Sequence, residues 1–217
     1  LTSDLMAEVS HGFFTRMGGS STGIYHGLNC GKGSGDRPDA IRSNRAAVAD
    51  FLGRPADHLQ SVHQTHSAQV QILTAPLTDA PKADAMVTAT AGVILGVLTA
   101  DCQPVLFHDA KAGVIGAAHA GYRGAKLGIL QNTLATMETL GAQRQDICAV
   151  IGPCISQRAY EVGPEFLDDI CHDAPDALRF FAQGKGDRYQ FDLPSYSLDQ
   201  LRAAGIKEAA WTGHCTY

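Results

Sequence analysis

Thr99-Ala100-Asp101-Cys102-Gln103-Pro104-Val105-Leu106-Phe107-His108 and Val114-Ile115-Gly116-Ala117-Ala118-His119-Ala120-Gly121-Tyr122-Arg123-Gly124 stand close together in the chain. Each holds a short apolar run, Pro104–His108 and Val114–Ala118, between turns. Runs of this length read as strands of a buried sheet, not as helices. Asp84–Val87, Val93–Leu98 and Ile147–Ile151 are further runs of the same kind. Cys102 follows the apolar stretch Ala91–Ala100, and His119 follows Val114–Ala118. Both reactive side chains are therefore expected at strand ends, where they can point into a cleft.

Working outward, Leu59–Val62 and Gln69–Leu73 read as strands on either side of His63 and His66. Residues 11–19 read as a strand running into a glycine turn. Asp36-Arg37-Pro38 resembles a helix start, followed by Ala40, Ile41, Ala46, Val48, Ala49, Phe51 and Leu52 at helical spacing and stopped by Gly53. Arg123–Leu140 carries the clearest helical pattern, with Ile129, Leu130, Leu134, Met137 and Leu140 near one face and Gly141 as its cap. Phe166–Cys171 and Ser197–Ala204 predict helices, with Tyr189–Asp192 and Lys207–Thr212 as strands. This irregular alternation favours α+β or mixed α/β over a doubly wound sheet.

The 217 residues suffice for one large domain with a sizeable core. A hydrophobic content of 45%, 18% charged residues and a net charge of -5 describe an ordinary globular chain with no basic footprint for nucleic acid or an anionic membrane. No apolar run approaches the roughly 18 residues of a membrane span, and no export signal is visible. The 6 cysteines are irregularly spaced and form no Cys-X-X-Cys pair, so reduced thiols in a cytoplasmic protein are expected.

His66, Cys102 and His119 come from three separate segments. Two imidazoles and a thiolate would make a three-ligand zinc site with a fourth position open, the arrangement of a catalytic metal. Taken singly, Cys102 reads more readily as an inert buried thiol and His119 as a core histidine bonded to a carbonyl. Their parallel placement strengthens the ligand reading. His63 is the reserve ligand, because in a strand it would point away from His66. Arg16 and Arg123, each beside glycine, are candidate anion binders, with surface ion pairs as the alternative. Asn29 could hydrogen-bond a polar ligand or a turn. Glu161, isolated from other charges, is read as either paired or functional.

The ordered motifs His11-Gly12-Phe13-Phe14-Thr15-Arg16, Leu28-Asn29-Cys30-Gly31, Gln64-Thr65-His66, Thr99–Val105, Ala118–Gly124, Ile151-Gly152-Pro153-Cys154-Ile155 and Tyr160-Glu161-Val162-Gly163 resemble the YfiH family, also called the laccase-domain or multicopper polyphenol oxidase family. Two positions depart from its pattern: Thr65 stands where valine is common, and Tyr122 where tryptophan is. The family's Phe-Phe-Ser-Tyr-Arg-Arg-like segment after Cys-Thr-Tyr is absent here, so no contribution from it to the site is expected.

The resemblance implies an α+β fold, with a mixed β-sandwich core flanked by helices, over residues 1–217 as a single domain. It implies zinc, with copper as the alternative, held by His66, Cys102 and His119. It also implies a purine nucleoside phosphorylase that converts adenosine, inosine, guanosine and methylthioadenosine to free base and pentose 1-phosphate and also deaminates adenosine. Purine nucleosides and phosphate are then the partners, and the oligomeric state stays open. On this reading Arg16, Asn29 and Arg123 bind substrate or phosphate, and Glu161 joins the catalytic group.

A true multicopper oxidase needs paired His-X-His motifs for its copper cluster. The 9 histidines here are scattered, with no such pair. Single-copper oxidation of phenols at the same three ligands is a second reading. A third is a metal-free cysteine hydrolase or peptidoglycan-editing factor with Cys102 as nucleophile and His119 as base. A fourth is a protein that binds without turnover.

Overall fold

The computed structural model describes residues 1–217. Its centre is a six-stranded mixed sheet built from β2 (Val70–Ile72), β3 (Ala85–Thr88), β5 (Gln103–Asp109), β6 (Val114–Ala120), β7 (Cys148–Ile151) and β11 (Glu208–Trp211), in the order β11-β7-β5-β6-β3-β2. The β5–β6 hairpin is the middle of the sheet, with seven residues of each strand in register from Gln103↔Ala120 to Asp109↔Val114. The outer pairs β11–β7 and β2–β3 are parallel and the inner pairs antiparallel. Two small sheets complete the strands: β1 (Leu59–Gln60) with β4 (Ile94–Leu95), and β8 (Glu161–Val162), β10 (Tyr189–Phe191) and β9 (Phe181–Gln183). The fold is α+β, the class expected, with its β content gathered mainly in one large sheet.

Alternation along the strands separates the two faces of that sheet. Ala85, Val87, Val105, Phe107, Ala149 and Ile151 join Ile129, Leu130, Leu134 and Met137 of helix α3 (Ile129–Thr139) and Leu201 of helix α5 (Leu193–Ala203) in the main core. Met86, Leu106 and Val150 lie on the opposite face, against the N-terminal layer that includes Met6, Phe13 and Val62. This is the period-two burial expected of strands covered on both sides. The remaining helices are α1 (Pro38–Phe51), α2 (Tyr122–Lys126) and α4 (Pro164–Asp173). Pro38 and Pro164 stand in the first turns of α1 and α4, where a missing N–H costs nothing. Asp192 caps α5 by accepting from the Ser195 amide at 3.0 Å.

Three sequence expectations need correction. Residues 11–19 form no strand, because their backbone makes isolated bonds and no continuous ladder, as where Phe13 donates to Leu1 and Leu28 to Arg16. The expected strand Val93–Leu98 shrinks to Ile94–Leu95. Beyond it the Gln64 side chain takes the place of a neighbouring strand, donating to Leu98 O at 2.7 Å and accepting from Leu98 N at 2.8 Å. The expected helix Arg123–Leu140 is two helices, α2 and α3, broken at Gly128, whose φ of 87° lies in the left-handed region that glycine tolerates.

Candidate metal centre

The middle hairpin delivers two of the three expected ligands. Cys102 immediately precedes β5, and His119 lies near the end of β6 across from Pro104. His66 arrives from the loop between β1 and β2. The ligand atoms of His66, Cys102 and His119 all lie within 4.8 Å of one another, with Cys102 Sγ 4.0 Å from His66 Nε2. The two imidazoles meet edge to face at 4.7 Å. Tetrahedral zinc with nitrogen and thiolate ligands sets donor atoms about 3.3–3.8 Å apart. The trio fits such an ion with small side-chain movements, and its donor chemistry suits zinc or copper. His63 is not part of the group; its backbone bridges to Lys82.

Asp84, the residue before β3, organises the trio. Its carboxylate is fully buried and accepts from His119 Nδ1 at 2.9 Å, from the amides of Thr65, His66 and Ser67 at 2.7–3.2 Å, and from the Ser67 hydroxyl at 2.7 Å. Three successive amides converge on one carboxylate because His66 adopts φ 58°, a left-handed conformation uncommon outside glycine. The backbone thus stores strain at a candidate ligand, where the buried carboxylate compensates it.

Burial pushes the Asp84 carboxyl up, but the hydrogen bonds from His119, Ser67 and Thr65 outweigh it and hold the pKa at about 2. Burial pushes His119 down, beyond what its bond to Asp84 restores, and His66 lowers it further. The pair is therefore carboxylate and neutral imidazole. With Nδ1 tied to Asp84, the lone pair on Nε2 is the one available as a ligand, an arrangement that orients many metal-bound histidines.

Burial raises Cys102, and the charges of Asp101 and Asp84 raise it further. This environment does not activate a thiolate without a cation, which removes support from the metal-free cysteine hydrolase. Gly121 closes the other side: a Cβ there would meet Cys102 Sγ at 2.6 Å and His66 Cδ2 at 3.3 Å. Only the absence of a side chain lets the strand end pass the cluster.

The other candidates fall around this group or away from it. Arg123 is exposed, opens α2 directly after Tyr122, and donates from Nε to the Tyr122 hydroxyl at 3.0 Å without meeting any carboxylate. Arg16 is exposed and touches His26 O at 3.3 Å. Asn29 is fully occupied within its own loop, donating to Ser34 and Asp36 at 3.0 and 2.9 Å and accepting from the Gly31 amide at 3.1 Å. Glu161 is exposed on β8, outside the cluster and without an ion pair.

Three participants escaped sequence reasoning. Asp84 had a signal, a lone acid opening an apolar strand. Gly121 had none apart from its place between His119 and a helix start. Tyr160 is half-buried near the cluster: burial raises its phenol, and Cys102, Tyr122 and Asp101 lie close enough to raise it further.

Over the second face of the sheet lies a cavity of about 1380 Å³. Arg16, Asn29, Leu98, Thr99, Ala100 and Thr216 are among its lining residues. Its lining includes none of His66, Cys102 and His119; Thr216 Oγ1 donates to Asp101, the residue before Cys102, at 2.8 Å.

A mixed-sheet α+β protein with a two-histidine, one-cysteine cluster at its central hairpin is the class these features define. The chain belongs to the family described as multi-copper polyphenol oxidoreductase laccase, whose model matches residues 10–217. It is 40% identical over 215 residues to a protein of Deinococcus radiodurans named purine nucleoside phosphorylase, covering 96% of this chain and 80% of that one. It is 34% identical over 203 residues to the purine nucleoside phosphorylase YfiH of Escherichia coli, covering 94% and 82%. The crystal structure of YlmD from Geobacillus stearothermophilus matches with a TM-score of 0.88 at 29% identity, over 99% of this chain and 84% of that one. The laccase-domain resemblance drawn from the motifs is thus the family to which the chain belongs.

Proposed function

We propose that residues 1–217 act as one unit, a zinc-dependent purine nucleoside phosphorylase that takes adenosine, inosine, guanosine and methylthioadenosine to free base and pentose 1-phosphate. The observation that carries this reading is the convergence of His66, Cys102 and His119 around one small space, backed by Asp84. The names of the relatives supply the substrate class. A bound zinc would supply Lewis acidity at that point.

The chain's own groups do the rest. Burial keeps His119 neutral; Asp84 aims its ring, and its three amide contacts fix the loop that carries His66. Arg123, free of carboxylates and steadied by Tyr122, is the group we assign to phosphate, since a guanidinium matches phosphate in charge and shape. Arg16, exposed and likewise without a carboxylate partner, is the second candidate. Phosphorolysis needs phosphate held against the anomeric carbon and a stabilised leaving base. Adenosine deamination has less support, because Glu161, the carboxylate suited to carry its proton, stands outside the cluster.

The test is phosphate-dependent release of hypoxanthine from inosine by protein loaded with one equivalent of zinc. His66→Ala and Cys102→Ala should abolish release, and Arg123→Ala should raise the KM for phosphate. No release by the loaded wild type, or equal release by the ligand variants, sinks the assignment. Elemental analysis of protein purified without added metal separates zinc from copper, and the Cys102→Ser variant should lose the metal.

A further inference from the structure

Beside the cluster stands a group of aromatic rings that the assignment above leaves unused. Tyr122 follows Gly121, the residue that abuts Cys102 and His66. Its ring lies 4.7 Å from Phe166 of α4, and Phe166 lies 5.7 Å from Tyr160. Phe191 backs both Phe166 and Tyr160, at 5.3 and 5.8 Å. Tyr122, Tyr160 and Phe166 are each only partly buried, unlike Phe191, which is fully enclosed. The wall is therefore backed by Phe191, while parts of Tyr122, Tyr160 and Phe166 reach solvent and the Arg123 guanidinium lies over the Tyr122 ring at 5.7 Å.

Two features distinguish this wall from an ordinary satellite core. The Tyr160 hydroxyl makes no hydrogen bond with the protein, although its ring is half-buried and Cys102 and Asp101 are near. That hydroxyl is not among the sealed-off polar atoms that lack a partner, so it is open to a ligand. The Tyr122 hydroxyl, by contrast, accepts from Arg123 Nε at 3.0 Å, which ties the wall to a guanidinium with no acidic partner. A hydroxyl donor, aromatic rings and a cation thus stand together beside Cys102, through Tyr160 near that thiol and Tyr122 next to Gly121.

We propose that Tyr160 and Tyr122 hold the heterocyclic base of the ligand, the rings by stacking and the Tyr160 hydroxyl by donating a hydrogen bond to a base acceptor. Stacking is indifferent to which purine is present, so the wall would accept several bases. The hydroxyl adds preference for a ring with an acceptor in reach. The inference rests on the nucleoside reading for its choice of ligand, and its test separates the two.

The probe is hypoxanthine, with affinity measured by equilibrium dialysis on zinc-loaded wild type and on Tyr160→Phe, Tyr160→Leu and Tyr122→Leu. Loss of the hydroxyl alone should weaken binding by about fivefold to tenfold. Loss of either ring should weaken it by about tenfold or more. In inosine phosphorolysis, Tyr160→Phe should raise KM more than it lowers kcat.

Thermal unfolding of each variant identifies loss of fold; should Tyr122→Leu unfold, Tyr160→Phe, which removes one oxygen, carries the test. Wild type that fails to bind hypoxanthine, or Tyr160 variants that bind it unchanged, overturns the proposal, even if inosine is cleaved. Tyr160-dependent binding without any cleavage of inosine upholds this site and sinks the phosphorolysis reading instead.

Discussion

Asp84 is the residue on which the site's geometry turns. It was visible in the sequence only as an acid at the head of an apolar strand, and its partners lie 17–35 positions away. Replacing it with alanine leaves the His119 ring and three amides without their acceptor in the interior. Breaking a buried, hydrogen-bonded pair in this way costs about 3–5 kcal/mol, to be read from denaturant unfolding of the metal-free protein. Zinc affinity should fall by about 10–100-fold, the usual loss when the support of a histidine ligand is removed.

The acid side of the stability curve belongs to the same residue. The carboxyl of Asp84 sits at about 2 in the fold, against about 3.9 in an unfolded chain. A depressed carboxyl contributes stability that is present above about pH 4 and is lost as pH falls toward 2; the contribution is about 2–3 kcal/mol. His119, lowered by burial, acts in the same sense at higher pH: the unfolded state gains a proton on passing below about 6.5, and the fold resists it. Unfolding free energy of the metal-free protein should therefore fall on acidification through both windows. Asp84→Asn should flatten the lower one, and an unchanged slope would contradict the account.

Among the elements, the central hairpin and the helices were legible because their periodicity is strong. Pro104–His108 and Val114–Ala118 announce β5 and β6, and the Ile129–Leu140 pattern announces α3. The N-terminal layer was not legible, since its strands are two or three residues long and its contacts are made by side chains such as Gln64 on Leu98. Two glycines test what the elements require. Gly128→Ala places a Cβ at φ 87°, a conformation that costs about 1–2 kcal/mol, so thermal stability should drop while zinc binding persists. Gly121→Ala has the opposite signature. Its φ of -70° suits alanine, but the new Cβ meets Cys102 Sγ at 2.6 Å. Zinc affinity should fall by about tenfold or more with little change in the stability of the metal-free fold. Equal zinc affinity in Gly121→Ala and wild type would show that the strand end does not crowd the cluster.

For the whole molecule, the three ligands join the β1–β2 loop to both strands of the central hairpin. An ion bound only by the folded state stabilises it by mass action, about 2.7 kcal/mol at a hundredfold excess over Kd. Zinc should raise the melting temperature of wild type, and a chelator should lower it again. Neither should move that of Cys102→Ser to the same extent. A melting temperature indifferent to zinc would argue that the trio holds no metal.

By itself the sequence determined the central hairpin and the main helical segments, and it marked His66, Cys102 and His119 as candidate ligands for a soft cation. Those properties depend on residue type and spacing over a few positions, and both can be read along the chain. Only the tertiary structure decided that the three side chains meet, and that Asp84 and not a neighbour in sequence aims His119. The meeting of the ligands and the aim of His119 are consequences of strand register and loop closure between segments far apart in the chain, such as the 36 residues between His66 and Cys102, where the direction of each side chain is set by the packing of the sheet.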